Sequence, residues 1–269
     1  MHKKTIFITF IIVLTLACKT PQPAMVQGPP RTALLPYGAA WAALWQQRSS
    51  EYKALCFQAY NTATLRLNEY VQQSTDKPFA IVTDIDETVL DNSPYTVHTA
   101  LQGQAYSDRT WQEWTAKAAC DTVPGALSFL KYAAAKGVQV FYITNRAESE
   151  RAATLQNLQR WNFPDADDQH LLLRASSSSK ETRRLQVAQT HNIIMLLGDN
   201  LGDFSALFEK QSYAQREVNT ENAAAAFGSR FIVLPNPMYG DWLGTLINFQ
   251  YQLSQSQQDS ILKKQLRDY

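Results

Sequence analysis

Five short apolar runs, separated by longer segments with helical spacing, dominate the chain from about residue 79 onward. The runs cover 79–84, 138–144, 170–173, 192–197 and 231–234, and helical patterns cover 124–137, 148–160 and 180–190. Strands that alternate with helices of this length build right-handed βαβ units, whose parallel sheet is covered on both faces. We therefore predict an α/β fold around one parallel sheet.

The first 36 residues carry export signals. Lys3 and Lys4 precede an apolar stretch over 5–17 that is too short to span a membrane, which is typical of a signal peptide over 1–17. Cys18 follows a small residue, as in a bacterial lipobox, although Thr15 departs from the usual leucine. We predict lipidation at Cys18, a proline-rich tether over 18–36, and attachment to the bacterial cell envelope, at the outer membrane. A plain signal peptide cut elsewhere and an uncleaved anchor are the alternatives.

The rest of the chain, 37–269, has the length of a single large α/β domain. Apolar residues at helical spacing over 37–75, among them Trp41, Leu44 and Leu55, predict one or two helices that pack on the main domain. A formal net charge of +1, without a Lys/Arg stripe, argues against a nucleic-acid partner. Cys56 and Cys120 could pair in an exported protein, but without a CxxC pattern we favour two buried thiols.

Polar residues collect where the predicted strands end. The first run ends in Asp84 and Asp86, with Thr88 two residues further on, and carboxylates at the end of a buried strand are costly unless paired or bound to a cation. Later runs are followed by Thr144, by Lys180 and by Asp199 and Asp203. Because the carboxyl ends of parallel strands meet at one edge of the sheet, we expect these side chains to converge.

Such a cluster suits phosphoryl chemistry. Four carboxylates in one place require a divalent cation, and an all-oxygen ligand set favours Mg²⁺ over Zn²⁺. A threonine hydroxyl, a lysine and helix-opening N–H groups suit phosphate oxygens. A carboxylate can attack phosphorus in line and form an aspartyl-phosphate that water then hydrolyses.

These residues stand in four ordered motifs, namely Asp84-Ile85-Asp86-Glu87-Thr88, Thr144, Lys180 and Gly198-Asp199 through Asp203, in which the chain resembles the haloacid dehalogenase (HAD) superfamily. Within it, the chain closely resembles the class C acid phosphatases, also called the lipoprotein e 5'-nucleotidase family. Further shared segments include Asp91-Asn92-Ser93-Pro94-Tyr95, Ile143-Thr144-Asn145-Arg146 and Leu234-Pro235-Asn236-Pro237-Met238-Tyr239-Gly240-Asp241-Trp242. The resemblance implies a HAD-like Rossmannoid sheet with a cap insertion at about 91–123.

The resemblance also implies a role for each motif residue. Asp84 matches the nucleophile and a Mg²⁺ ligand. Asp86 matches the general acid and base, whose backbone carbonyl also reaches the metal. Thr144 and Lys180 match the residues that hold the phosphate. Asp199 matches the remaining carboxylate ligand of Mg²⁺, and Asp203 matches the supporting carboxylate, which reaches the metal either directly or through water.

For substrate binding, the resemblance implies nucleoside monophosphates or similar phosphomonoesters. Trp111 and Tyr239 align with aromatic residues that stack on a nucleotide base in similar proteins, and Asn145 is assigned to the same site. An aromatic face accepts any base, which would give broad specificity. A homodimer is possible.

Two other functions are weighed against this one. A surface lipoprotein could act mainly in ligand binding or uptake, of haem for example, although no His, Met or Cys arrangement is typical of a haem site. A related HAD chemistry could cleave C–halogen or phosphonate bonds. Asp86 favours phosphate esters, because their leaving oxygen needs a proton donor.

Overall fold

The computed structural model describes residues 34–35 and 37–269. The predicted signal peptide, Cys18 and nearly all of the predicted tether lie outside the described residues. The strands are β1 (Phe79–Thr83), β2 (Leu90–Asp91), β3 (Asp121–Thr122), β4 (Gln139–Ala147), β5 (Leu171–Arg174), β6 (Asn192–Gly198) and β7 (Phe231–Val233). The α-helices are α1 (Tyr37–Arg48), α2 (Ser50–Tyr70), α3 (Ser93–Leu101), α4 (Asp108–Thr115), α5 (Ala126–Ala135), α6 (Arg151–Arg160), α7 (Glu181–Thr190), α8 (Tyr213–Asn222), α9 (Asp241–Leu246) and α10 (Gln255–Lys263).

Five of the strands form one parallel sheet in the order β5-β4-β1-β6-β7. The chain moves from β1 outward through β4 to β5, and then crosses to β6 and β7 on the other side. Strand order therefore reverses at β1 and β6, and the crevice outside their carboxyl ends is where open α/β sheets bind ligands. The predicted α/β parallel fold is confirmed.

Apolar layers cover both faces of the sheet. On β1, Ile81 contributes to a core with α2 and α5, whereas Ala80 and Val82 contribute to a second core with Val187 of α7. Successive strand side chains point to opposite faces, so a strand buried on both sides has to be apolar throughout. This explains why β1 is apolar up to Thr83, where the polar residues begin.

The N-terminal helices pack as predicted only in part. The buried residues of α2 are Tyr52, Cys56, Tyr60, Ala63 and Leu67, at spacings of three and four that make one stripe. Trp41, Leu44 and Leu55 are 73%, 46% and 43% exposed, so these three residues of the predicted stripe lie off the buried faces of the helices. The buried face of α1 consists of Ala42, Ala43 and Gln46 instead.

The segment expected to form the insertion, about 91–123, lies between β2 and β3, which pair antiparallel and enclose α3 and α4.

Cys56 and Cys120 are buried free thiols. Within the described residues, we find no helix that combines the length and the apolar character needed to cross a membrane.

Candidate active site

Asp84 stands at the centre of the sheet edge. Its N–H donates to the carbonyl of Leu197 at 2.9 Å, so the pairing between β1 and β6 continues past the last residue of β1. The backbone then folds into a tight turn, in which the Ile85 carbonyl accepts from the N–H groups of Val89 and Leu90, both at 2.9 Å. This turn keeps the Asp84 side chain, which is 8% exposed, facing the crevice.

Glu87 is the strained residue of this turn. Its φ of +58° lies in the left-handed region, which costs a non-glycine residue about 1–2 kcal/mol. The conformation is held by three contacts of the fully buried side chain: Oε1 accepts from the Asn92 N–H at 2.6 Å, and Oε2 accepts from Nδ2 of Asn92 at 3.4 Å and from the hydroxyl of Tyr239. Burial, followed by the nearby Asp86, raises the pKa of Glu87 well above its ordinary value.

Three carboxylates from separate motifs meet beside the turn. Each of Asp84, Asp199 and Asp203 offers an oxygen, and these oxygens all lie within 4.8 Å of one another. Asp199 accepts from the Thr88 hydroxyl at 3.3 Å and from Nδ2 of Asn236 at 2.8 Å. The predicted convergence of the β1 and β6 motifs is therefore present in the structure.

Gly198 permits the approach of Asp203. A Cβ on Gly198 would lie 2.3 Å from Oδ2 and 2.4 Å from Cβ of Asp203, closer than such atoms come. The same Asp203 oxygen accepts from the Asn200 N–H at 3.0 Å, which fixes the short turn after β6. The glycine is thus required by the packing of a candidate ligand.

Lys180 lies between two of the three carboxylates. Its Nζ contacts Asp84 and lies 2.6 Å from Oδ1 of Asp203, and the side chain is buried. Burial alone would lower the pKa of Lys180, but Asp203 and Asp84 raise it above its ordinary value, so the lysine stays charged. With the three carboxylates ionised, one lysine leaves two negative charges uncompensated.

The charge imbalance appears in the pKa values. Burial raises the pKa of Asp84 to about 7 against the opposing effect of Lys180, with Asp203 and Asp86 adding to the rise. Burial, then Asp203 and Asp84, raise the pKa of Asp199 well above its ordinary range. Clustered carboxylates that resist ionisation, with oxygen donors only, fit a hard divalent cation such as Mg²⁺.

Asp86 belongs to a different cluster. Its carboxylate is paired with the guanidinium of Arg146, with Nη2 2.7 Å from Oδ1, and it also accepts from Nδ2 of Asn92 at 2.9 Å. The Thr144 hydroxyl donates to the same carboxylate at 3.4 Å. The side chain of Asp86 therefore faces Arg146, which leaves its backbone carbonyl as the atom predicted to reach a metal.

Arg146 and Asn236 are site residues to which the sequence analysis gave no role. The Arg146 side chain is almost completely buried, and a buried guanidinium requires an anionic partner. Arg146 directly follows Thr144 and Asn145 in the second motif, and this position was the signal in the sequence. Asn236 supports Asp199 while its own Oδ1 accepts from the Met238 N–H at 2.9 Å. Asn236 lies 37 residues after Asp199 in a different loop, so nothing in the sequence indicates this contact.

Asn145 lies next to the buried Thr144 and is exposed. Its Oδ1 accepts from Nη2 of Arg183 at 2.8 Å. Together with Lys180 and Asp203, Asn145 lines a cavity of about 290 Å³ that opens beside the carboxylates. The structure thus brings Asn145 to the crevice that contains the motif residues.

The two predicted base-stacking residues lie near the Asp86–Arg146 pair and Glu87, respectively. Trp111 packs edge-on against Tyr95 at 5.1 Å between ring centroids, and the Arg146 guanidinium lies 5.9 Å from the Trp111 ring. Tyr239 is tied to Glu87 through its hydroxyl. Tyr106, 61% exposed and 6.1 Å from Trp111, completes an aromatic cluster that the sequence analysis did not single out.

Comparison with known proteins decides the family. A family model described as HAD superfamily, subfamily IIIB (acid phosphatase), matches residues 32–242. The chain belongs to this acid phosphatase family. It contains the three carboxylates, Lys180 and the Asp86–Arg146 pair, all within the matched region.

Solved structures of another acid phosphatase agree with this assignment. Two structures of the class C acid phosphatase from Bacillus anthracis, one with tungstate bound, share 41% identity with the chain at a TM-score of 0.83. Each match covers 86% of this chain and 98% of the Bacillus anthracis chain. The resemblance, the fold and the expected enzyme class, a phosphomonoesterase, are confirmed.

Two plant proteins are more distant relatives. Acid phosphatase 1 of Solanum lycopersicum is 27% identical over 164 residues, and the stem 31 kDa glycoprotein of Glycine max is 24% identical over 161 residues. In both cases the match covers 58% of this chain. The chain spans a little more than half the length of these curated relatives, at 56% and 57%.

Proposed function

We propose that the protein hydrolyses phosphate monoesters, 5'-nucleotides in particular, with Mg²⁺ and through an aspartyl-phosphate on Asp84. The observation that carries this proposal is the group of Asp84, Asp199 and Asp203 at the switch point of the sheet, in which a single lysine contacts two of the three carboxylates. With its carboxylates ionised, this group has a net negative charge despite the lysine, and a phosphate ester would add more negative charge to it. A divalent cation supplies the missing charge, as phosphoryl transfer requires.

In the first chemical step, an oxygen of Asp84 attacks phosphorus while the bond from phosphorus to the leaving oxygen breaks. Asp86 gives its proton to that oxygen, so the alcohol leaves neutral. In the second step, the Asp86 carboxylate takes a proton from water as the water oxygen attacks phosphorus. The bond to Asp84 then breaks, which restores the carboxylate and releases inorganic phosphate.

The remaining polar groups hold the reactants. Asp84, Asp199 and Asp203, with the backbone carbonyl of Asp86, would hold Mg²⁺, whose chemistry is to neutralise the phosphate and polarise its bonds. Lys180 and the amide of Asn145 face the space beside Asp84 and suit the phosphate oxygens. The tungstate bound by the Bacillus anthracis relative is a tetrahedral oxyanion of the same shape.

Nucleotide recognition rests on the aromatic side chains. Trp111 lies beside Arg146, the partner of Asp86, and Tyr106 adds an exposed ring next to Trp111, while Tyr239 is bound to Glu87 through its hydroxyl. Stacking of a base on aromatic faces gives affinity without choosing among bases. The proposed substrates are nucleoside monophosphates, and their dephosphorylation would yield nucleosides that cross membranes more easily.

The proposed location is the bacterial cell envelope, with a lipid anchor on Cys18 at the outer membrane. The basic residues, the short apolar stretch and the following cysteine support it. A homodimer is part of the same proposal. Labelling with a palmitate analogue, compared between wild type and Cys18→Ser, tests the anchor, because only the wild type should incorporate the label.

The deciding experiment measures phosphate release by the purified full-length protein. The substrates are 5'-AMP, a nicotinamide mononucleotide and an aryl phosphate, each with Mg²⁺ and with EDTA over a range of pH. Release that requires Mg²⁺ and is faster from nucleotides supports the proposal. Release that EDTA leaves unchanged contradicts the metal role, and haem binding without any turnover would favour the ligand-uptake function.

A further inference from the structure

Arg183, in the first turn of α7, has a guanidinium that joins the C-terminal part of β4 to β5 and to the loop after β5. The ladder between these two strands shifts register between Ile143 and Ala147, where β4 has more residues than β5, as in a β-bulge. Arg183 Nη1 donates to the carbonyls of Thr144 and Leu172 next to this bulge. A bulge interrupts a ladder, and buried carbonyls there need other donors, which Arg183 provides.

The second terminal nitrogen of Arg183 holds the residues that face the crevice. Nη2 donates to Oδ1 of Asn145 at 2.8 Å, to the Ser179 carbonyl at 3.2 Å and to the Ser178 carbonyl at 3.5 Å. Ser179 immediately precedes Lys180. One half-buried guanidinium therefore fixes both the exposed side chain of the Thr144 motif and the backbone that presents the lysine.

The chemistry of arginine determines which way the Asn145 amide points. A guanidinium has donors only, so the amide atom that meets it has to be the oxygen. The NH₂ group of Asn145 is then directed away from Arg183. Asn145, Ser178, Ser179 and Lys180 all line the same cavity of about 290 Å³, so this NH₂ group is available to an anion there.

We propose that Arg183 is a positioning residue of the phosphatase site, which holds the Asn145 amide with its NH₂ group toward the substrate phosphate. This inference rests on the proposed function. Without Arg183 the amide can rotate by half a turn and present its oxygen, which repels phosphate. A fork is needed because the same guanidinium spans the end of β4 and the loop after β5, so a lysine, with a single nitrogen, replaces it only in part.

A double-mutant cycle tests this coupling. The variants are Asn145→Ala, Arg183→Met and the double variant, measured by kcat, KM and the inhibition constant of inorganic phosphate. In the wild-type background, Asn145→Ala should weaken phosphate inhibition by about 10- to 100-fold, the effect of one hydrogen bond to a charged group. In the Arg183→Met background, the same change should cost less than about 3-fold, because the amide is no longer oriented.

Matched variants separate positioning from folding. Arg183→Lys should give an intermediate phosphate inhibition constant, and it replaces Arg183→Met in the cycle if the methionine variant does not fold. Arg230→Met is the control, because Arg230 donates to the Ile193 carbonyl at the opposite end of β6 and should leave phosphate inhibition unchanged. Equal effects of Asn145→Ala in both backgrounds would overturn the inference. An inactive but folded wild type would instead overturn the proposed function.

Discussion

At the scale of single residues, Asp84 gives the sharpest test of the chemistry. Asp84→Asn keeps the shape of the side chain but removes the attacking carboxylate, so kcat should fall by about 10⁴-fold or more. The variant should also keep or raise its melting temperature above pH 7 without metal, because a buried carboxylate with a raised pKa no longer has to ionise. Steady-state kinetics and thermal melts with EDTA check both results. Turnover that survives the substitution would rule out the aspartyl-phosphate.

Arg146 tests the role of Asp86 as proton donor. Arg146→Met removes the partner that holds the carboxylate, and breaking a buried ion pair should cost about 3–5 kcal/mol of stability. The loss in kcat should be greatest for alkyl phosphates and smallest for p-nitrophenyl phosphate, whose leaving group needs no proton. Arg146→Lys should fall between wild type and methionine. An equal loss for both kinds of ester would mean that Arg146 supports the fold rather than Asp86.

The motif residues could be predicted from the sequence, whereas their partners could not. Asp84, Asp86 and Lys180 have fixed positions relative to strand ends, and hydrophobic periodicity locates those ends. Asn236 contacts Asp199 from a loop after β7, and Arg183 of α7 contacts Asn145 of β4. Such contacts depend on tertiary packing and on backbone bulges, and neither leaves a periodic pattern in one sequence.

At the scale of elements, the turn after β6 gives a prediction about backbone space. Gly198→Ala would place a Cβ 2.3 Å from the Asp203 carboxylate, so Asp203 has to move. Displacement of a candidate ligand should weaken Mg²⁺ activation by about 10- to 100-fold. Titration of activity with Mg²⁺ measures the change. Gly202→Ala is the control from the same turn, because its Cβ would meet nothing closer than 3.6 Å. Similar effects of both substitutions would contradict the steric argument.

The predicted elements were accurate where burial on two faces made the pattern strong. The core strands were found to within a few residues because a parallel sheet requires continuous apolar runs. Helix α1 was less predictable, since its small buried residues Ala42 and Ala43 allow close packing while Trp41 stays exposed. Side-chain size alone does not mark the buried face of α1, because Trp45 packs against the core while Trp41, of the same size, does not.

At the scale of the whole molecule, carboxylates with raised pKa values should link stability to pH. Without metal, Asp84, Asp199 and Glu87 hold protons in the folded state that the unfolded chain has already lost near pH 5. Their contribution to the free energy of unfolding is therefore greatest at low pH and is lost as pH rises through the folded pKa, which for Asp84 is about 7. The melting temperature in EDTA should fall between pH 5 and pH 8.

Added Mg²⁺ should reverse this trend, because a cation binds the ionised carboxylates and competes with their protons. At about 100 times its dissociation constant, a ligand adds about 2.7 kcal/mol, or roughly 5–10 °C for a chain of this size. The increase should be small at pH 5, where Asp84 and Asp199 are protonated, and should grow up to pH 8. Thermal melts at each pH, with Mg²⁺ or EDTA, measure the difference.

Asp199→Asn removes one candidate ligand and should reduce the increase in melting temperature at pH 8, while Asp76→Asn, in the exposed loop before β1, should not. A stabilisation by Mg²⁺ that is equal at pH 5 and pH 8 would mean that these carboxylates do not bind the ion.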